Sequence, residues 1–320
     1  MLSAKRPASH WPTCGPVPEL PEVETVRRSL EPRLVGRRIE SVSVGRDRVV
    51  RRTSAAALID GARGSIVESV GRRGKYLVCE LDNRRSLMVH LRMSGQLLLA
   101  ERSVARPIHT HVVMCLDDGY ELRFVDPRTF GEVVAFDPAR VDVEVPELAR
   151  LGIDPIADAF DVADLRRVVR GRRRQLKALL LDQHQIAGIG NIYADEILHR
   201  ARLHPLRRSD TLASAAEARL HAAIGAVLND AIAAGGSTLD DAAYVDVDGV
   251  AGSYQHRHVV YGRADHRCTS CQRGRIRRIV VAQRSTHYCP VCQRGPRPAA
   301  VPPISTIPSS TSRRAPAASN

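Results

Sequence analysis

Apolar positions along this chain change period several times, and each change marks a different kind of element. Between residues 18 and 34, Val23, Val26 and Leu30 recur at steps of three and four, the spacing of one helix face. Pro21 suits a first helical position, and Glu22 and Glu24 suit a first turn. A helix is therefore expected over 18–34, with Pro32 ending it early. Residues 37–136 break into strand-like runs: Ile39–Val44, Ile66–Val70, Tyr76–Leu81, Leu87–Leu91, Val112–Leu116, Tyr120–Val125 and Glu132–Phe136. Gly, Asn and Asp punctuate them, including Asp118-Gly119, and short strands at this spacing predict a sandwich or barrel. Pro138, Pro146 and Pro155 mark a connector over 137–160. From 161 to 234 the period returns to helical, with Leu212, Ala216, Leu220, Ile224, Val227 and Ala231 in register until Gly235-Gly236 stops the run. A polar loop with Gly249 and Gly252 follows over 237–262, then a small Cys-rich module over 263–292. The Pro, Ser, Ala and Arg content of 293–320 is that of a disordered tail.

Composition narrows the partners. The chain has 320 residues, a formal net charge of +13 and a pI near 10.0. Two domains fit that length. So basic a balance favours a polyanionic partner, although charge alone also fits a solvated basic surface or an anionic membrane face. No run approaches the ~18 apolar residues of a membrane span, so no membrane association is expected. Of seven cysteines, Cys14, Cys79 and Cys115 are scattered, and the last two lie in apolar runs as inert core thiols.

The other four carry a stronger signal. Cys268 and Cys271 form one knuckle, Cys289 and Cys292 a second, with 17 residues between the pairs. That spacing predicts one closed, structural Zn2+ site in a reducing compartment, not a disulfide framework. Ile276, Ile279, Val280 and Val281 read as hairpin residues between the knuckles. Segment 263–294 holds eight arginines against one acid, Asp265, which reads as a nucleic-acid clamp.

A different chemistry is written in Pro18-Glu19-Leu20-Pro21-Glu22-Val23-Glu24-Thr25-Val26. A proline at a mature N-terminus carries a secondary amine, which can attack a sugar carbon and form an iminium with it. Such an amine titrates at roughly 7.7–8.0, against about 10.4 for lysine, so a useful fraction is neutral near physiological pH. Glu19 beside it supplies a carboxyl group for acid–base work. Residues 1–17 nevertheless precede Pro18 and would hold its nitrogen as an amide. Met1 to Val17 has no export-type pattern, and its acid-poor content is only a weak hint of a transit peptide. The expectation is that Val17 is the true start, read as initiator methionine and removed, so that 1–17 is a non-native or processed extension.

That nonapeptide resembles the N-terminus of the bacterial formamidopyrimidine-DNA glycosylases, which excise oxidised purines from DNA. Further motifs agree in order over residues 18–292. Gln185-Ile186-Ala187-Gly188-Ile189-Gly190-Asn191-Ile192-Tyr193-Ala194 resembles the family's helix–two-turn–helix. Read by itself, this Gly-rich turn leaves N–H groups free at a helix start, a ready phosphate site, or is an ordinary packing joint. The resemblance gives Asn191 a phosphate contact and places Arg172 and Lys177 at DNA-backbone positions. Lys75, in Arg72-Arg73-Gly74-Lys75-Tyr76, matches a lysine near the target phosphate that assists the first elimination. Arg284 matches the arginine that reaches the damaged nucleotide and donates a proton in the second elimination. On its own, Arg284 reads as one phosphate contact among several. In His90-Leu91-Arg92-Met93-Ser94-Gly95-Gln96 and Asp126-Pro127-Arg128-Thr129-Phe130-Gly131, Met93, Arg128 and Phe130 match the wedge that fills the hole left by a flipped base. Without the resemblance, Met93 and Phe130 read as core. Thr129 stands where relatives often have a second arginine. His109 matches a backbone-contacting histidine, and a metal site with His111 lacks a third ligand.

The resemblance implies an α+β multidomain fold. An N-terminal catalytic β-sandwich with a flanking helix spans 18–136, and a linker spans 137–160. A helix–two-turn–helix domain with a lesion-capping loop spans 161–262, and a β-hairpin zinc finger spans 263–292. It also implies a cytoplasmic, nucleoid-associated monomer acting on damaged double-stranded DNA as glycosylase and abasic-site lyase. Pro18 would attack C1′ of an 8-oxoguanine or formamidopyrimidine nucleotide, Glu19 would protonate the sugar oxygen, and Glu22 would support the site by hydrogen bonding. The alternatives are an endonuclease VIII-like enzyme for oxidised pyrimidines, and a catalytically silent DNA binder whose Pro18 stays blocked.

Overall fold

The computed structural model describes residues 18–239 and 244–295. The extension through Val17, Cys14 with it, and the tail from residue 296 lie outside the described residues.

Helix α1 spans Leu20–Leu34 and buries Leu20, Val23, Val26, Leu30 and Leu34, the stripe that the sequence period predicts. Pro32 does not end it. The missing N–H falls in the last turn on an exposed face, where the Arg28 carbonyl left without it is open to solvation. Val35 N–H closes the helix on Glu31 O at 3.2 Å.

Eight strands follow: β1 Ile39–Val44, β2 Val67–Arg73, β3 Tyr76–Leu81, β4 Ser86–His90, β5 Gln96–Glu101, β6 Thr110–Leu116, β7 Tyr120–Val125 and β8 Glu132–Phe136. They form two antiparallel sheets, ordered β1-β6-β7-β5 and β2-β3-β4-β8. The sheets share one core with α1, with Leu77, Val89, Leu97, Val112, Phe124 and Val133 inside it. Two elements of the sandwich escaped the sequence reading. Strand β5 buries Leu97 and Leu99 at period two, a short signal beside a motif that reads as loop. Helix α2, Ala55–Ala62, is too short to establish a period; Ser54 caps it by accepting the Ala57 N–H at 3.1 Å.

The connector carries two single-turn helices, α3 Val141–Glu144 and α4 Pro146–Ala149. A second core then gathers α5 Val162–Arg170, α6 Leu176–Leu180, α7 Asn191–Arg200 and α8 Ser214–Ala233. Asp161 caps α5 by accepting the Asp164 N–H at 2.8 Å. Leu212 lies ahead of α8, and Gly235 and Gly236, with φ of +73° and +79°, turn the chain after it. Two last strands, β9 Arg277–Val281 and β10 Arg284–Tyr288, form the hairpin of the Cys-rich module. Its turn puts Ala282 and Gln283 at φ +49° and +59°, the twist that a two-residue hairpin needs.

The sandwich and the helical unit meet at a buried ionic joint. Arg72 donates from Nε to Glu24 at 2.8 Å and from Nη1 and Nη2 to Asp154 at 2.5 and 3.1 Å. Asp154 also accepts the Gly74 N–H at 2.8 Å, so the β2–β3 turn is fixed against the helical unit.

Candidate active site

The start of α1 is set between α7 and the turn after α8. Leu20 N–H donates to Gly188 O at 3.0 Å. The Glu19 carboxylate accepts the N–H groups of Gly190, Ile192 and Tyr193 at 2.8, 2.9 and 3.4 Å. Those free amides of the Gly-rich turn read from sequence as a phosphate site. Here they hold a carboxylate of the same chain, which satisfies the orphan donors and the positive end of α7 alike. The approach requires glycine: a Cβ on Gly190 would stand 2.3 Å from the Glu19 Cδ. Burial raises the Glu19 pKa above its ordinary value, against the lowering influence of Lys75 and of those amides.

Glu22 lies one turn further along. It accepts the Glu19 N–H at 2.8 Å and the Ser237 N–H at 2.7 Å, and the Tyr193 hydroxyl donates to it. Burial, then the Glu19 charge, raise its pKa to about 7.

Lys75 sits in the β2–β3 turn, close enough to Glu19, Glu22 and Arg284 to feel all three charges. Burial depresses its pKa and Arg284 adds to the effect, while the two carboxylates oppose it. Four of the five proposed reaction residues therefore share one electrostatic neighbourhood, with Pro18 covalently next to Glu19.

Met93, His109, Arg128 and Phe130 are grouped elsewhere, on three loops at the edge of the sandwich. Fully buried Asp126 ties those loops together. It accepts Ser94 Oγ at 2.5 Å, Gly131 N–H at 2.6 Å and Arg128 N–H at 3.2 Å, and its own N–H donates to His109 O at 3.0 Å. Arg128 lies over the exposed Phe130 ring at 5.0 Å, a cation–π pair presented to solvent. Thr129 is buried at φ +54° and accepts from Arg51 through its carbonyl.

Lys177 does not reach outward. Its side chain is wholly buried, and Nζ donates to Asp195 Oδ1 at 2.6 Å and Asn191 O at 2.8 Å. An ammonium paired inside the fold has no free donor face for a DNA phosphate, so Lys177 steadies the start of α7 instead. Arg172 is exposed ahead of α6, in irregular chain. Asn191 opens α7, and its Oδ1 is buried without a partner.

The four cysteine sulfurs lie within 4.8 Å of one another. Cys268 and Cys292 are 3.8 Å apart and Cys271 and Cys289 3.7 Å, close to the edge of a tetrahedron with ~2.3 Å metal–sulfur bonds. Gly274 N–H points at Cys271 Sγ and Cys292 N–H at Cys289 Sγ, as thiolates require. The Gly274 and Arg273 amides lower the Cys271 pKa to about 6. Cys268, Cys271, Cys289 and Cys292 thus fit one structural zinc ion, which would tie the hairpin to its knuckles. Cys79 is a core thiol, pushed up to about 12 by burial, whereas Cys115 is half-buried with Sγ 3.7 Å from Glu121.

Three family models match in succession: the formamidopyrimidine-DNA glycosylase N-terminal domain over residues 17–133, its H2TH domain over 151–243, and the zinc finger found in FPG and IleRS over 273–295. A formamidopyrimidine-DNA glycosylase of Heliobacterium modesticaldum is 43% identical over 80% of this chain and 92% of its own length. One from Salinispora arenicola is 46% identical over 80% of this chain and 89% of its own. The chain belongs to the formamidopyrimidine-DNA glycosylase family. The MutM (Fpg) protein of Thermus thermophilus superposes with a TM-score of 0.77 at 41% identity, covering 87% of this chain and all of that one. A Lactococcus lactis FPG variant bound to Fapy-dG-containing DNA gives 0.78 at 36% identity, again over 87% and 100%.

For a glycosylase of this family, sequence reasoning missed the residues that hold Glu22, Lys177 and the wedge loops in place. Tyr193, Asp195 and Ser237 are buried polar side chains around the site, and Asp126 sits beneath the wedge loops. Asp126 lies inside a quoted motif, and a buried acid in a strand end was its only signal. Asp195 and Glu196 interrupt the apolar face of α7, where charge without an exposed face points to internal partners.

Proposed function

We propose that this glycosylase excises oxidised purines through its Pro18 amine and then cleaves the abasic site. Pro18 nitrogen attacks C1′ of the flipped nucleotide as the C1′–base bond breaks and the base departs, Glu19 protonates the sugar oxygen as the C1′–O4′ bond opens, and an iminium joins enzyme to sugar. Lys75 assists the β-elimination and Arg284 the δ-elimination, leaving a one-nucleotide gap. Met93, Arg128 and Phe130 fill the vacated stack, with Arg128 facing the orphaned cytosine. His109, Arg172 and Asn191 hold DNA phosphates. The working form is a monomer whose Pro18 nitrogen is unacylated, the bond to Val17 having been removed or never made.

One observation carries this reading: the Glu19 carboxyl, its pKa raised, is fixed by three amides at the start of α7 directly beside Pro18, within the field of Lys75, which Arg284 in turn faces. A carboxyl held this firmly next to a backbone nitrogen suits proton transfer at a sugar bonded to that nitrogen.

Borohydride trapping on duplex with 8-oxoguanine opposite cytosine tests the reading. A covalent adduct is expected, with sequencing of the adduct placing the sugar on Pro18. Absence of an adduct, with residues 1–17 retained by intact mass, would leave a silent DNA binder. A second substrate class has one observation in its favour, since a wild-type Lactococcus lactis FPG neighbour is complexed with oxidised-pyrimidine DNA. Comparing excision of 8-oxoguanine with thymine glycol ranks the two, and faster purine excision is expected.

A further inference from the structure

Behind Glu22 runs a line of buried hydroxyl and imidazole groups that the chemistry above does not use. Tyr193 OH donates to Glu22 and lies 3.2 Å from Ser237 Oγ. Ser237 Oγ lies 3.1 Å from His258 Nε2. All four are buried, with exposure rising from 0 % at Tyr193 and 2 % at Glu22 to 5 % at Ser237 and 8 % at His258. Each group comes from a different element: α1, the start of α7, the turn after α8, and the loop ahead of the zinc module. Gly236 makes the approach possible, since a Cβ there would stand 2.8 Å from Glu22 Oε1.

We propose that His258, Ser237 and Tyr193 form a proton wire that exchanges the proton of Glu22 with solvent, beside the Pro18 nitrogen. This rests on Pro18 being the nucleophile. The hydrogen bonds give the wire its direction. With Glu22 ionised, Tyr193 donates to it, Ser237 donates to Tyr193, and His258 donates from Nε2 to Ser237. The neutral imidazole then has a vacant lone pair on Nδ1. A proton arriving at Nδ1 moves the Nε2 proton to Ser237 as the Ser237 proton passes to Tyr193 and the Tyr193 proton to Glu22. One N–H and three O–H bonds break, the third in the hydronium that delivers the proton, and one N–H and three O–H bonds form. The balance is one proton taken from water and one carboxylate neutralised. Every hydrogen bond now points outward, so the reverse passage carries a proton from Glu22 to solvent.

Both directions have a use. A nucleophilic amine must shed its proton before or during attack, and Glu22 accepts the N–H of Glu19, three backbone bonds from Pro18 nitrogen. Glu22 is also the group whose two protonation states are both populated near neutrality. It faces Glu19 on its own helix, Lys75 from the β2–β3 turn, Tyr193 from α7 and Ser237, with the Tyr244 hydroxyl on its backbone carbonyl. His258 faces Tyr254 and Tyr261 edge-on, and its carbonyl accepts from Arg263. Burial and nearby His256 lower the His258 pKa to about 4, which keeps the ring in the neutral form a relay needs.

Two variants of His258 separate relay from support. H258Q keeps a donor and an acceptor beside Ser237 but passes no proton, and H258L keeps volume alone. Both are predicted to slow single-turnover excision of 8-oxoguanine about tenfold at pH 7, with DNA affinity unchanged and partial rescue by added imidazole. Wild-type rate and pH profile in H258Q would overturn the wire, even if H258L were slow. Melting temperature screens each variant for folding. Borohydride adduct in the wild-type enzyme reports on Pro18 separately: no adduct there fails the nucleophile, whereas a wild-type adduct with an unaffected H258Q rate fails the wire alone.

Discussion

Glu22 and Glu24 stand two residues apart on α1, both screened from solvent, yet they titrate in opposite directions. Glu22 is met by hydroxyl and amide donors and by another carboxylate, and burial prevails, raising it to about 7. Glu24 is met by guanidinium groups of Arg27, Arg28 and Arg72 at 2.8–3.1 Å. Burial would raise it too, but those arginine bonds overturn the effect and lower it to about 2. One helix thus presents a carboxyl raised to about 7 on the side where the reaction is proposed and a fixed anion on the joint side. Neutral donors hold a carboxyl in place without deciding its charge, whereas arginines decide it.

The largest effect should come on the reaction side. Glu19→Gln keeps volume and the α7 amides but removes the transferable proton, so excision should fall by about 10²–10⁴ with the melting curve unchanged. Equal activity in this variant would strip the reaction side of its meaning. On the joint side, Arg72→Met should leave activity per folded molecule intact while costing about 3–5 kcal/mol in urea unfolding, because two buried carboxylates lose their partner. Zinc removal by chelation extends the contrast to the thiolates. DNA affinity should fall as the basic hairpin loosens, while the sandwich, which shares no core with it, keeps its own transition by calorimetry.

The smallest effects are the pH slopes, and their signs differ. Folded Glu22 binds a proton that the unfolded chain has released between pH 4.5 and about 7, so stability falls as pH rises through that window. Folded Glu24 stays ionised where the unfolded chain takes up a proton, so stability falls as pH drops from 4.5 towards 2. Glu22→Gln should flatten the first slope and Glu24→Gln the second, each by about 1–3 kcal/mol across its window in thermal or urea titrations. A single variant that flattened both would break the comparison.

Much of the fold was legible because it is periodic. The α1 stripe, four of the strands to the residue, the Gly235-Gly236 stop and the cysteine spacing all repeat short patterns. Strand β5 and α2 were lost where a run was short or overlapped a motif. Pro32 was misjudged because a missing N–H matters little at an exposed last turn. The family motifs marked Glu19, Lys75 and Arg284. They also assigned Lys177 a phosphate that its burial against Asp195 denies it, while the Gly-rich turn read by itself offered free amides or a packing joint, and Glu19 occupies those amides.

By itself the sequence determined which residue types were available at which spacing: a Pro18-Glu19 pair, a Gly-Ile-Gly-Asn turn, four paired cysteines and a large positive charge. Only the tertiary structure decided what each charge meets. Glu19 finds amides, Glu22 finds hydroxyls and Lys177 finds an aspartate across long stretches of chain, and Glu24 gains Arg72 from β2 beside its helix neighbours Arg27 and Arg28. Charge state depends on distance and burial in space, and neither is a function of position along the chain.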